Sequence, residues 1–133
     1  MDTSTRVLLI DDDEALLRSL SRPLIDHGFD VVTALCAAEA RMRLSHSSFD
    51  VVICDYYMPG LGGLEFLQEL LTQDPELLTF LLSGWVAGVR VAEDWAREIG
   101  VCRVFAKPCD YAEIISTIEQ AMQTKRTCGT VTT

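Results

Sequence analysis

A chain of 133 residues is one domain long, enough for a single hydrophobic core and too short for two. With 49% hydrophobic and 23% charged residues, it has the balance of a soluble globular protein and not that of a disordered one. Its 20 acidic against 11 basic residues give a net charge of −9, a surface that repels phosphate backbones and argues against direct binding of DNA or RNA.

Apolar runs and helix-period segments alternate five times along the chain. Arg6–Ile10 is a short continuous apolar run, the pattern of a strand buried on both faces of a parallel sheet. Asp13–His27 carries Leu16, Leu17, Leu20 and Leu24 at helical spacing, and Gly28 stops it. Asp30–Ala34 predicts a second strand, and Ala37–His46 a second helix with Ala37, Ala40 and Leu44 inward. Val51–Cys54 is the most hydrophobic strand candidate, with Asp55 directly after it. Met58-Pro59-Gly60 and Gly62-Gly63 form a loop, since neither proline nor glycine favours a continuing element. Leu64–Gln73 is the third helix, with Leu64, Leu67 and Leu71 on one face; Leu78–Leu82 is the fourth strand, ending in Ser83-Gly84. A fourth helix is expected within Val89–Ile99, closed by Gly100. Cys102–Ala106 is the fifth strand, followed by Lys107-Pro108. Asp110 with Glu113 three residues on resembles a capping box, opening a last helix whose buried stripe is Ile114, Ile118 and Met122. Residues 1–123 thus form one domain, and the Thr-rich segment 124–133 lacks apolar period and is expected to be a flexible polar tail.

Five βα units in so short a chain predict a doubly wound parallel sheet with right-handed crossovers. No apolar stretch approaches the roughly 20 residues needed to cross a bilayer, and the polar start Met1–Arg6 shows no signal-peptide pattern. A cytoplasmic location is expected. The five cysteines (Cys36, Cys54, Cys102, Cys109, Cys128) are odd in number and form no CxxC pair, which fits neither a disulfide scaffold nor a zinc site. Most are expected to behave as small buried hydrophobes.

Functional sites of open parallel sheets gather at the carboxyl ends of the strands. There the first strand delivers Asp11, Asp12 and Asp13, the third Asp55, the fourth Ser83 and the fifth Lys107. Clustered carboxylates form a hard oxygen site suited to Mg²⁺, which keeps several waters and binds alongside phosphoryl groups. A carboxylate beside such a metal can act as nucleophile toward phosphorus. The transferring group spreads negative charge over three oxygens, so the site also needs a cation and a donor. Lys107 can supply the one and Ser83 the other. Asp13 alone is better read as the cap of the first helix.

The blocks VLLIDDDEALL, DVVICDYYMPGLGGLEFL, LLSGW and VFAKPCD resemble, in order and spacing, the signature blocks of bacterial two-component response-regulator receiver domains, over about residues 6 to 123. The resemblance implies a flavodoxin-like, CheY-like fold with five helices around a five-stranded sheet of order 2-1-3-4-5. It implies that Asp55 is the phosphoacceptor, taking its group from a sensor histidine kinase or a phosphotransfer domain. Mg²⁺ or Mn²⁺ would be held by Asp12 directly, by Asp11 mainly through water, by Asp55, and by the backbone carbonyl of Tyr57. Ser83 and Lys107 would each contact a phosphoryl oxygen, and the Lys107–Pro108 peptide would be cis. Such a domain is no enzyme beyond its own phosphorylation and dephosphorylation. Its partners would be the phosphodonor and a downstream effector, without nucleic acid or membrane, as a monomer or weak dimer.

Three features depart from the family pattern. Val104 occupies the usual aromatic switch position, with the aromatic displaced to Phe105; Tyr57 and Trp85 are bulky where many relatives carry smaller groups; and Gly62 stands where an acid or asparagine is frequent. Tyr57 and Trp85 are expected to project over the rim of the phosphorylation pocket and slow the attack of water. Three other readings compete. A receiver fold that docks partners without phosphorylation would usually lose an acid or the lysine, and all are kept. An aspartyl phosphatase would favour a second acid two residues after the first, where Tyr57 stands. A flavin-binding protein of similar topology would want a Ser/Thr/Gly phosphate loop after the first strand, where this chain has acids.

Overall fold

The computed structural model describes residues 4–84 and 86–131, leaving aside the side chains of 86–92 and 126–131. Strands β1 (Arg6–Ile10), β2 (Asp30–Ala34), β3 (Val51–Asp55), β4 (Leu78–Ser83) and β5 (Arg103–Ala106) alternate with helices α1 (Glu14–Asp26), α2 (Ala37–His46), α3 (Gly63–Gln73), α4 (Val86–Ile99) and α5 (Tyr111–Val131). All strand pairs are parallel, in the order β2-β1-β3-β4-β5. The doubly wound, flavodoxin-like class and the strand order expected from the sequence are therefore present.

Side chains alternate across a strand, so each strand feeds two cores. Val7, Leu9, Ile53, Phe80, Leu82 and Phe105 face α1 and α5, meeting Leu17, Leu20, Leu24, Ile114 and Ile118. Leu8, Ile10, Val52, Cys54 and Leu81 face the other side, meeting Ala37 and Ala40 of α2 and Leu64, Phe66 and Leu67 of α3. Each fully buried side chain of this size contributes about 1.5–3 kcal/mol. The predicted inner faces are largely the observed ones, with Leu16, Leu44 and Met122 only partly buried. His27 and Glu119, 2.7 Å apart, tie α1 to α5. Gly28 ends α1 at φ +106, a left-handed conformation that costs a glycine nothing.

Several boundaries moved. Asp55 and Ser83 are the last residues of β3 and β4, not the first beyond them, and β5 starts at Arg103, one residue later than expected. Helix α4 begins at Val86, ahead of the span expected from position 89. Helix α5 runs to Val131, past the boundary expected at residue 123. Its expected apolar stripe ends at Met122, and the good helix formers Gln123, Lys125 and Arg126 favour continuation of the backbone helix. The capping box at α5 is half formed. The Asp110 carboxylate accepts from Ala112 N at 3.0 Å, while Glu113 turns away to pair with Arg103 at 2.6 Å. Among the described residues, no helix is long and apolar enough to cross a membrane.

The expectation for the cysteines needs correction. Cys54 is buried, but Cys36 and Cys109 are half-buried and Cys102 is exposed. The latter three sit at element ends, where apolar neighbours in sequence do not guarantee cover in space. The side chain of Cys128 lies outside the described residues.

Candidate functional site

The alternation that builds the two cores also selects the site. Asp11 continues the parity of Val7 and Leu9, Asp55 that of Ile53, and Lys107 that of Phe105, so all three emerge on the α1/α5 side of the sheet at its carboxyl edge. Lys107 Nζ lies 3.0 Å from Asp11 Oδ2 and 2.9 Å from Asp55 Oδ1, joining β5 to β1 and β3 through one ammonium. The Lys107 amide donates to the Ser83 carbonyl at 2.8 Å, and the Lys107–Pro108 peptide is cis.

Asp11 and Asp55 are 1% and 5% exposed, whereas Asp12 stands in solvent. One ligand atom from each of these three acids can be chosen so that all lie within 4.8 Å of one another. Burial pushes the Asp55 carboxyl above its ordinary value, against the hydrogen bond from Lys107. Burial likewise raises Asp11, against hydrogen bonds from the Asp13 amide and Lys107. Burial opposes the charge on Lys107, but its bonds to Asp55 and Asp11 prevail and its pKa is raised. One lysine thus leaves the buried acids short of positive charge.

That shortage, with hard oxygen donors this close together, fits a divalent cation of the magnesium type. Tyr57 is consistent with a ligand role for its carbonyl. Among the described residues that oxygen accepts no backbone hydrogen bond, whereas the carbonyl of Tyr56 accepts from Gly63 N at 3.0 Å. Asp13 takes the capping role expected of it, its Oδ1 accepting from Ala15 N at 3.0 Å and Leu16 N at 3.2 Å. Its own amide donates to Asp11 Oδ1 at 2.9 Å, so the cap of α1 also orients the buried acid.

Two supports were not read from the sequence. The first is the double pairing of Lys107, which no spacing encodes. The second is Gly63, where a Cβ would sit 2.8 Å from the Asp55 carbonyl carbon and 3.1 Å from Tyr56 Cα. Only glycine lets α3 start this close to the end of β3; the Gly62-Gly63 pair was the available signal. Beneath Asp55, the buried Cys54 thiol lies 3.5 Å from the Asp55 carbonyl oxygen and 3.8 Å from Met58 Sδ. Burial first, then the Asp55 and Asp11 charges, push that thiol's pKa up, so it stays protonated.

Ser83 is 2% exposed at the end of β4, and alternation turns it to the α2–α4 side, with Leu81. Val104 shares that side, while Phe105 lies in the opposite core, stacked on Phe80 with centroids 5.8 Å apart. Tyr57 is 61% exposed and packs edge-on against Tyr56. This is a surface arrangement common for an amphipathic aromatic. Trp85 lies outside the described residues.

The family model for the response regulator receiver domain matches residues 7–119. The chain belongs to that family. This receiver domain is 34% identical to the hydrogenase transcriptional regulatory protein HoxA of Cupriavidus necator over 92% of its length, covering 25% of that protein. It is 32% identical to the transcriptional regulatory protein PrrA of Mycobacterium bovis over 96% of its length, covering 54% of that protein. The chain thus spans a quarter to about half of these curated relatives. Among solved structures, a response regulator receiver domain protein from Clostridium thermocellum aligns with a TM-score of 0.85 and 26% identity, covering 93% of this chain and 98% of that one.

Proposed function

We propose that this receiver domain is a phosphoacceptor switch in a two-component phosphorelay, with Asp55 as the acceptor. The observation that carries the reading is the Lys107 ammonium held between Asp55 at 2.9 Å and Asp11 at 3.0 Å, with Asp12 completing the acid cluster. Asp11, Asp12, Asp55 and the Tyr57 carbonyl would hold Mg²⁺ or Mn²⁺. The bound ion would supply positive charge opposite the phosphoryl oxygens.

The residues of the chain account for the rest. An Asp55 carboxylate oxygen attacks the phosphorus of a phosphohistidine on a sensor kinase or phosphotransfer domain. The P–N bond breaks, its electrons leave with the imidazole, and an acyl phosphate forms. Lys107 then pairs with one phosphoryl oxygen, and Ser83 donates to another. The domain acts on no other substrate, works in the cytoplasm as a monomer or weak dimer, and passes its state to an effector. HoxA and PrrA make a transcriptional output the first one to examine. The alternative is a docking module that works without phosphorylation.

Incubation with acetyl phosphate and Mg²⁺ followed by intact-mass measurement separates the two. The wild type should gain one phosphoryl mass and Asp55→Asn none. Equal labelling of both proteins would remove Asp55 from its role, and no labelling of either would favour the docking module.

A further inference from the structure

A groove of about 760 Å³ runs along the outer flank of the domain, beside the edge strand β2. One wall is the α1 stripe Leu17, Ser21 and Ile25, at i, i+4 and i+8, and the other is Val31, Thr33 and Leu35. Between these walls lies one orphan polar atom, since Ser21 Oγ is buried without a hydrogen-bond partner. Ile25, at its end, is 50% exposed.

The rim carries the charge. Arg18, Arg22 and Arg43 line it together with Glu14 and Glu39, an excess of one positive charge on a protein whose net charge is −9. Arg6, Arg41, Arg97 and Arg103 each pair with a carboxylate elsewhere on the surface. Among the described residues, Arg22 and Arg43 have no carboxylate partner, and Arg18 has only a distant one in Glu14 at 4.0 Å. Among the described residues, the guanidinium groups without a close carboxylate partner are thus found on this groove, which favours an anionic occupant.

Edge chemistry narrows the occupant's shape. Asp30 N donates to Thr5 O, and Ala34 O accepts from Asp11 N, so residues 30, 32 and 34 turn toward β1 and the alternate ones outward. Of the outward groups, Thr33 O accepts from Arg43 Nε at 3.3 Å and Leu35 N donates to Glu39 Oε1 at 2.7 Å. Two side chains of α2 therefore block this end of the ladder against an added strand. An occupant has to dock through side chains. The α1 stripe from Leu17 to Ile25 is about 12 Å long, which matches two to three turns of a partner helix.

We infer that this groove docks a short amphipathic helix of a partner protein, one that sets acidic residues beside an apolar stripe. Its apolar residues would cover Ile25, Val31 and Leu35, and its carboxylates would pair with Arg22 and Arg43. Asp55 lies on β3, two strands inward and so about 10 Å away by strand spacing, and stays uncovered. The inference stands apart from the phosphoacceptor reading. The overall negative charge repels an acidic partner everywhere else, so the arginines give the contact its address.

The test is an amide-resolved NMR titration with two synthetic helical peptides of about three turns, sharing a leucine stripe and differing only in glutamate or lysine flanks. The glutamate peptide should shift the amides of Ser21, Val31 and Thr33 saturably. Its affinity should fall at least about tenfold in the R22E/R43E double variant, which should bind the lysine peptide better than the wild type does. R22Q/R43Q, a gentler change, should fall between, and Asp55→Asn should bind like the wild type. Equal binding of both peptides, shifts confined to another surface, or no saturable shift would overturn the inference. So would self-association, or retention on phosphatidylglycerol vesicles, that R22E/R43E abolishes while the peptide goes unbound, since the groove would then serve a second copy or a lipid surface.

Discussion

Replacing Asp55 with asparagine should stabilise the metal-free domain at neutral pH. At an effective dielectric of about 20, the contact with Lys107 at 2.9 Å is worth about 6 kcal/mol of attraction, and each acid at up to 4.8 Å at least about 3.5 kcal/mol of repulsion. Asp12 is exposed and its share is screened, so attraction and repulsion come close to cancelling. What remains is the cost of keeping a carboxylate out of water, the largest influence on Asp55 and one that raises its pKa. Asparagine keeps the shape, removes that cost and leaves Lys107 bonded to Asp11 at 3.0 Å. A gain of about 1–2 kcal/mol follows, the scale of one uncompensated buried polar group. Because the folded pKa of Asp55 lies above its ordinary 3.8, the folded wild type holds a proton that the unfolded chain has lost. That contribution to stability is present at low pH and is lost as pH rises from about 4 through the folded value. The advantage of Asp55→Asn should therefore grow with pH across that window. Urea unfolding followed by circular dichroism, in EDTA from pH 4 to 7.5, measures it. Adding Mg²⁺ should then favour the wild type, by about 2.7 kcal/mol at a hundredfold excess over Kd. A variant less stable than the wild type in EDTA at pH 7, or an advantage that shrinks with pH, would refute the balance of terms.

Gly63→Ala should lose at least about 2 kcal/mol in urea midpoint, because overpacking against the Asp55 and Tyr56 backbone exceeds the gain in helix propensity. Gly84→Ala is the control, as its Cβ would meet Lys107 Cδ at an ordinary 3.5 Å. Asp12→Ala should abolish Mg²⁺ binding measured by calorimetry, whereas Asp13→Ala should keep most of it and lose about 1 kcal/mol of stability with the α1 cap. Phe105→Ala should cost about 3–5 kcal/mol in thermal unfolding through the lost stack on Phe80, and Val104→Ala clearly less.

The fold was legible because parallel strands buried on both faces read as unbroken apolar runs, and Arg6–Ile10, Asp30–Ala34 and Val51–Cys54 fall within a residue of their observed limits. The site was legible for a related reason. An acid or lysine at the end of such a run has to emerge at the carboxyl edge, and Asp11, Asp55 and Lys107 do. What stayed hidden depends on distance between elements. The Lys107 bridge joins residues 96 apart in sequence. Glu113 was read as a helix cap, but its carboxylate found Arg103 on the neighbouring strand, a stronger partner than its own helix amide. Helix α5 runs past the apolar stripe that the sequence showed, because adding a residue to a formed helix needs no new nucleus.

Side-chain alternation also bears on how a signal would leave the site. By strand alternation Asp11, Asp55 and Lys107 stand on the α1/α5 side of the sheet and Ser83 on the α2–α4 side, where Val104 packs. Ser83 is therefore the residue of the set that connects the two. In many family members an aromatic at the Val104 position swings to follow such a residue. Val104 is β-branched and nearly fixed at its first torsion, so it has no ring to move. Phe105 has the ring but is 4% exposed in the other core and locked on Phe80. If Asp55 is phosphorylated, a shift of the main chain around Ser83 and Gly84 is the route across the sheet that the described residues offer. That segment is suited to it. Gly84 carries no side chain against Lys107, and the Ser83 carbonyl is already tied to the Lys107 amide at 2.8 Å, so a pull on the lysine is a pull on the end of β4.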